Sequence, residues 1–312
     1  MDKKDLEPLY EAVTKNIYGF YTLKPAYQKN MKEFYEDRYF QEERASYTKT
    51  EYDPIDVEYQ KNCFAQKIMV WNRIHTDKNV RRGAKKQFLD IGCGEGYALS
   101  YFHDMGWDVT GIDLSSYGLE LHNPNMKPYL IQGDSEKAVE DLAAQGKVFD
   151  LINGDNMLEH VPEARKLLQE IKKICKKETL ICIKVPNDFS LIQKMAYELG
   201  EIDEAFWVTK ETCEHVNYFS VDSLTELGES LGLEKVTATA DWPIDFFLLN
   251  PATNYRREKK VGRACHIACA MLENALNRKS RDRTLDLQEA LAACGIGRDI
   301  SVYFKISDKN KL

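Results

Sequence analysis

Downstream of residue 86, short runs rich in β-branched and aliphatic residues alternate with stretches of helical periodicity. No other feature restricts the fold as much, because such alternation builds a parallel sheet whose faces are covered by helices. The expected strands are residues 87–91 (QFLDI), 108–114 (DVTGIDL), 128–133 (PYLIQG), 149–155 (FDLINGD) and 179–185 (TLICIKV). Helices are expected near 96–105, 116–122, 135–145 and 162–175, with Pro162 suited to a first helical turn. After 185–190 (VPNDFS) the pattern loosens as far as residue 218. It resumes with a helix at 220–231, Ser220 as N-cap and Asp222 in the first turn, then strands at 233–241 and 298–306.

Two segments stand apart from this alternation. Residues 243–297 carry helical patterns too long for a hairpin and are expected to form a helical insertion covering the substrate side. Residues 1–80 hold nine of the 17 tyrosines and are expected to form a helical, tyrosine-rich cap. The sheet-bearing core then comprises residues 81–242 and 298–312.

Composition removes several classes of function. The 312 residues, 43% of them hydrophobic, suffice for a proper core. There is no apolar run of transmembrane length and the first residues show no apolar leader, so no membrane association and a cytoplasmic location are expected. A net charge of -7 argues against non-specific nucleic-acid binding. Eight cysteines include no CxxC pair, and neither disulfides nor a zinc site are expected.

The stretch FLDIGCGEGYALSYF (88–102) runs from a strand through Gly92, Gly94 and Gly96 directly into a helix, a turn that lets a ligand approach backbone N–H groups. A dinucleotide turn reads G-x-G-x-x-G. Here the spacing is G-x-G-x-G, with Asp90 two residues ahead, an acid that repels a pyrophosphate and attracts a cationic amine. Asp113 ends the second strand, where it can accept ribose hydroxyls, with Leu114 beside it. Asp134 and Ser135 follow the third strand at the same edge, where Asp134 either accepts from an adenine amino group or simply caps the next helix. An acid for an amine, an acid for a ribose and a polar edge for adenine together fit S-adenosyl-L-methionine. Cys93 is a small residue between glycines.

These motifs resemble the class I S-adenosylmethionine-dependent methyltransferases. LDIGCGEG matches the family's first motif, VTGIDLS its ribose-binding second strand, and FDLINGDNMLEHVPE its fourth-strand motif. VPNDFS and EHVNYFS (214–220) are similar to segments of the ubiquinone-pathway O-methyltransferase branch. The resemblance covers roughly residues 85–240 plus the final strand. It implies a Rossmann-like α/β fold with a seven-stranded sheet, whose last strand is antiparallel and inserted between the fifth and sixth. It also implies cofactor contacts from Asp90, Gly92, Cys93, Gly94, Gly96, Asp113, Leu114, Asp134, Ser135, Asp155 and Asn156.

Methyl transfer to a hydroxyl needs alignment and a proton acceptor, and histidine suits the second requirement. His160, after the fourth strand, and His215, in the HxxYFS-like loop, are the candidates, with Glu159 beside the first. Each also has a purely structural reading, His160 packing a turn before Pro162 and His215 ordering its loop. Glu159, His160, Glu214 and His215 could suggest a divalent metal, but two acid–histidine pairs in separate loops do not define a ligand set, and no metal is expected. His266 is expected in a core. The expected activity is O-methylation of a small hydroxylated acceptor, a saccharide unit favoured. N- or C-methylation of another small molecule, a nicotinamide-dependent dehydrogenase and a non-catalytic S-adenosylmethionine-binding partner protein stay open as alternatives.

Overall fold

The computed structural model describes residues 11–28, 52–75, 85–208 and 215–307. In chain order these give β1 (Val13–Lys15), β2 (Tyr21–Leu23), α1 (Pro54–Ile74), β3 (Gln87–Ile91), α2 (Tyr97–Asp104), β4 (Asp108–Asp113) and α3 (Tyr117–His122). There follow β5 (Leu130–Gln132), α4 (Ser135–Ala144), β6 (Phe149–Asp155), α5 (Ala164–Lys173), β7 (Cys175–Pro186) and α6 (Leu191–Glu198). The remainder is β8 (Asn217–Tyr218), α7 (Val221–Ser230), β9 (Leu233–Ala240), α8 (Gly262–Lys279), α9 (Arg281–Ala293) and β10 (Asp299–Ile306).

Seven strands form one sheet in the order β5-β4-β3-β6-β7-β10-β9. β10 pairs antiparallel with both β7 and β9, and the pairs from β5 to β7 are parallel. This is the expected sheet, its last strand inserted between the fifth and sixth of the set. The strands are near-continuous apolar runs because both faces are buried. Leu89, Ile91, Ile112, Ile152, Ile181 and Ile183 face α4, α5 and α7. Their alternates Phe88, Val109, Leu151, Leu180 and Cys182 face α1 and α2, where Trp71, Leu99 and Phe102 fill the gap.

Several local expectations change. α5 begins at Ala164 with Glu163 as N-cap, so Pro162 precedes the helix rather than opening it. The loosened stretch contains α6, started by a capping box in which Ser190 and Gln193 exchange side-chain and backbone bonds. Ser220 caps α7 as expected.

Within residues 1–80, the described part holds a β-hairpin and α1, with residues 11–12 and 25–28 helical as well, rather than helix throughout. β1 pairs with β2, and β2 with β8, in a small antiparallel sheet. Tyr21 and Leu23, on one face of β2, join Tyr218 of the partner strand in a separate apolar cluster, a strand pattern that tyrosine counting obscures. Of the insertion, α8 packs on α1 and α9 on β9, while the turn Ile244–Leu249 lies against α6.

Candidate active site

The carboxyl ends of β3, β4 and β6 meet at the glycine loop. Gly92, Gly94 and Gly96 have φ of +74°, +50° and +76°, the left-handed region where a side chain is disfavoured. A Cβ on Gly94 would meet nothing within 4 Å, so the loop faces open space where a cofactor can lie. Four of the loop's amides are engaged within the protein. Gly92 N–H and Cys93 N–H donate to Ile112 O at 2.8 and 3.0 Å, and Gly96 N–H to Cys93 O at 2.9 Å. Gly94 N–H donates to Asp113 Oδ2 at 2.8 Å, and Ser115 N–H to Asp113 Oδ1 at 2.9 Å. Asp113 is thereby fixed at the loop's mouth, with the Leu114 amide as a further partner, and its carboxylate keeps lone-pair capacity for a ribose hydroxyl.

The other expected cofactor contacts divide by where they point. Asp90 is buried and accepts from Asn153 Nδ2 at 2.7 Å, beneath the loop rather than in its mouth. Burial pushes its carboxyl up to about 7, partly offset by the Asn153 hydrogen bond. Cys93 buries its thiol toward Gly111, so it offers backbone only. Leu114 is exposed beside Asp113, an apolar surface of the kind an adenine ring packs on. Asp134 is the N-cap of α4, accepting from Lys137 N–H at 2.9 Å, while Ser135 is that helix's first residue. The capping role is therefore what this geometry shows for Asp134. These placements fit S-adenosylmethionine at Asp113, Leu114 and the three glycines.

Asp155, at the end of β6, accepts from Lys67 Nζ at 2.8 Å; Lys67 is a buried residue of α1. Burial raises the Asp155 carboxyl, but Lys67 and Lys184 outweigh it and the net shift is downward. Asn156 follows with φ +51°, a left-handed conformation that turns the chain away from the strand.

Beyond that turn, Glu159 and His160 sit in a short 3-10 helix, Leu158–His160. Val216 N–H donates to Glu159 O at 2.8 Å and Asn217 Nδ2 to Val161 O at 2.7 Å, which brings His215 alongside. The two imidazole rings meet edge to face at 4.9 Å, and His160 Nε2 lies 3.7 Å from Glu159 Oε1. Burial, with help from His160 and Arg298, pushes His215 down to about 3, so its ring is neutral. Burial likewise holds the Glu159 carboxyl well above its ordinary range. Ligand atoms of Glu159, His160 and His215 all lie within 4.8 Å of one another, so these three could hold a divalent ion. Glu214 lies outside the described residues.

The sequence did not single out Asp188, Arg298 or Lys67. Glu159 Oε2, Asp188 Oδ2 and Arg298 Nη1 are buried without a hydrogen-bond partner among the described residues. Asp188 was within reach, since it lies in VPNDFS and follows a strand end. Lys67 was not, because a lysine in a helix is ordinarily a solvated side chain. His266 is half-exposed on α8 and hydrogen-bonds Asp56 at 2.7 Å, a polar contact rather than a core residue. A polar cavity of about 30 Å³ between α1 and the ends of β7 and β10 is lined by Lys67, Lys184 and Asp299. It has room for a water or two.

Comparison with known proteins agrees with this fold and with S-adenosylmethionine as the cofactor. A family profile described as a methyltransferase domain matches residues 71–238, more than half of the chain. The chain belongs to the class I S-adenosylmethionine-dependent methyltransferases. Within them it is similar to ubiquinone biosynthesis O-methyltransferases, at 38% identity over 95 residues in Paraburkholderia phymatum (29% of this chain, 40% of that one). The corresponding protein of Idiomarina loihiensis is 26% identical over 180 residues, 56% of this chain and 70% of its own. The chain spans about half the length of the first curated relatives it matches. Among solved structures, the plantazolicin methyltransferase BpumL in complex with SAH shares the fold, with a TM-score of 0.52 and 14% identity over 97% of this chain and 99% of that one.

Proposed function

We propose that the protein O-methylates a small hydroxylated acceptor, with a saccharide unit the favoured class. The observation that carries this reading is the junction of Glu159, His160 and His215 just beyond β6, at the edge that also bears the glycine loop. S-adenosylmethionine, when bound, supplies an electrophilic methyl on a cationic sulfur. The chain's own residues then have to align the acceptor and take its proton. A ring that resists protonation down to about pH 3 is a weak base, so His215 orients and His160 accepts the proton. The names of the curated relatives support oxygen as the methylated atom.

A hydroxyl-rich acceptor is favoured by the orphaned Glu159 Oε2, Asp188 Oδ2 and Arg298 Nη1. Saccharide hydroxyls would meet such groups, whereas an unsubstituted aromatic ring would leave them unpaired. We place the acceptor's cover in the helical insertion, residues 243–297, and in residues 11–28 and 52–75 of the tyrosine-bearing first segment. A panel of saccharides, catechols, amines, peptides and RNA with labelled cofactor tests the reading. Turnover of a saccharide is the expected result; labelling only of peptide or RNA would end the small-molecule proposal.

A second reading is favoured by the 4.8 Å convergence of the Glu159, His160 and His215 ligand atoms. In it the three hold a divalent ion that acidifies the acceptor hydroxyl. Undiminished turnover after exhaustive chelation would remove it.

A further inference from the structure

One contact joins the segment ahead of α1 to the glycine loop. The Tyr52 hydroxyl donates to Glu95 Oε2 at 2.6 Å, and Glu95 is the residue between Gly94 and Gly96. The other carboxylate oxygen lies 3.5 Å from His122 Nε2, on a side chain only 7% exposed whose Nε2 makes no hydrogen bond among the described residues. Tyr97 Oη is 3.2 Å from Nδ1 of the same ring. Tyr52 stands edge-on to both rings, with centroids 5.4 Å from Tyr97 and 5.6 Å from His122. Asn123 Nδ2 donates to Glu95 O at 2.8 Å.

Tyr52 is itself held from behind. Asp53 caps α1 through Ile55 N–H, and Asp56 meets Arg263 at 2.8 Å and His266 at 2.7 Å on α8. Three turns along, Lys67 reaches Asp155. One helix thus touches the insertion, the end of β6 and, through Tyr52, the cofactor loop.

We propose that Tyr52 is a cofactor-positioning residue: with Glu95 and His122 it clasps the glycine loop in its binding geometry and slows release of the cofactor and its demethylated product. This rests on the reading of that loop as the S-adenosylmethionine site. Three left-handed glycines in five positions leave a loop many unbound conformations, and each restraint imposed beforehand lowers the ordering entropy of binding. A hydroxyl donating to a carboxylate is a strong form of such a restraint. Tyr52 acts through Glu95 and touches no reacting atom.

The test is titration with S-adenosylhomocysteine and stopped-flow measurement of its release, for the wild type, Tyr52→Phe, Glu95→Ala and the double variant. Tyr52→Phe is expected to weaken affinity roughly tenfold, chiefly by faster release, and to raise KM for S-adenosylmethionine without lowering kcat. The double variant should be no worse than Glu95→Ala alone, because Tyr52 acts on the loop through Glu95. Should Tyr52→Phe fail to fold, Glu95→Ala is expected to show at least the same loss of affinity. Unchanged affinity and release in the variants, or additive losses, would overturn the clasp while leaving the cofactor site standing. A wild type that binds no S-adenosylhomocysteine would overturn the cofactor reading, and the clasp with it.

Discussion

The two histidines at the carboxyl edge are not equivalent. His215 is neutral at every ordinary pH because burial pushes it to about 3, so no change in turnover between pH 5 and 8 traces to its protonation. Replacing His160 by Ala should lower kcat roughly 10²- to 10⁴-fold, the range for losing a positioned base; an unchanged kcat would assign the proton transfer elsewhere. Asp188 gives a test of stability. Burial raises its carboxyl to about 7 against an offsetting Arg298, whereas the unfolded value is about 3.9. Its contribution is therefore fully present below about pH 3.9 and lost as pH rises through about 7. Asp188→Asn should raise the unfolding free energy at pH 8 by on the order of a few kcal/mol, read as a higher urea midpoint, and change it little near pH 4. Asp113 and the three glycines were legible in the sequence because their spacing is itself the signal. Arg298 and Lys67 were not, because a charge becomes informative only once the fold has buried it.

Elements were legible where a period and a boundary residue agreed. The seven sheet strands follow from apolar runs, and α7 from Ser220, whereas α6 was passed over although Ser190 and Gln193 stand at capping-box spacing. The hairpin β1–β2 escaped because three-residue strands carry too few alternations to count. Contact between elements is tighter than any sequence pattern shows. Strand β4 and helix α2 approach so closely at Gly111 that a Cβ there would lie 2.6 Å from Leu99 Cδ1 and 2.9 Å from Cys93 Sγ. Gly111→Ala should thus cost about 1–3 kcal/mol of stability. Because the displaced Cys93 sits in the cofactor loop, S-adenosylhomocysteine affinity should fall as well; calorimetry beside thermal unfolding measures both.

At the scale of the molecule, α1 is joined to the sheet by a buried charge pair. Lys67→Met leaves Asp155 without its cation and should destabilise the protein by about 3–5 kcal/mol, while adding Asp155→Asn should recover much of that. No recovery in denaturant titrations would mean that the lysine's stem, not its charge, matters. The sheet order has a different consequence, one of timing. β7 is complete at Pro186, but the strand that lies against it, β10, begins at Asp299. At a synthesis rate of about 5–20 residues per second, the ribosome needs on the order of ten seconds to make the intervening residues. For that interval the apolar edge of β7 is open to any other strand, and β9 has been made with no neighbour to receive it. The polypeptide thus leaves the ribosome with its most adhesive strand edge waiting for the segment translated last of the ten, a window in which holdase chaperones or neighbouring nascent chains compete for it.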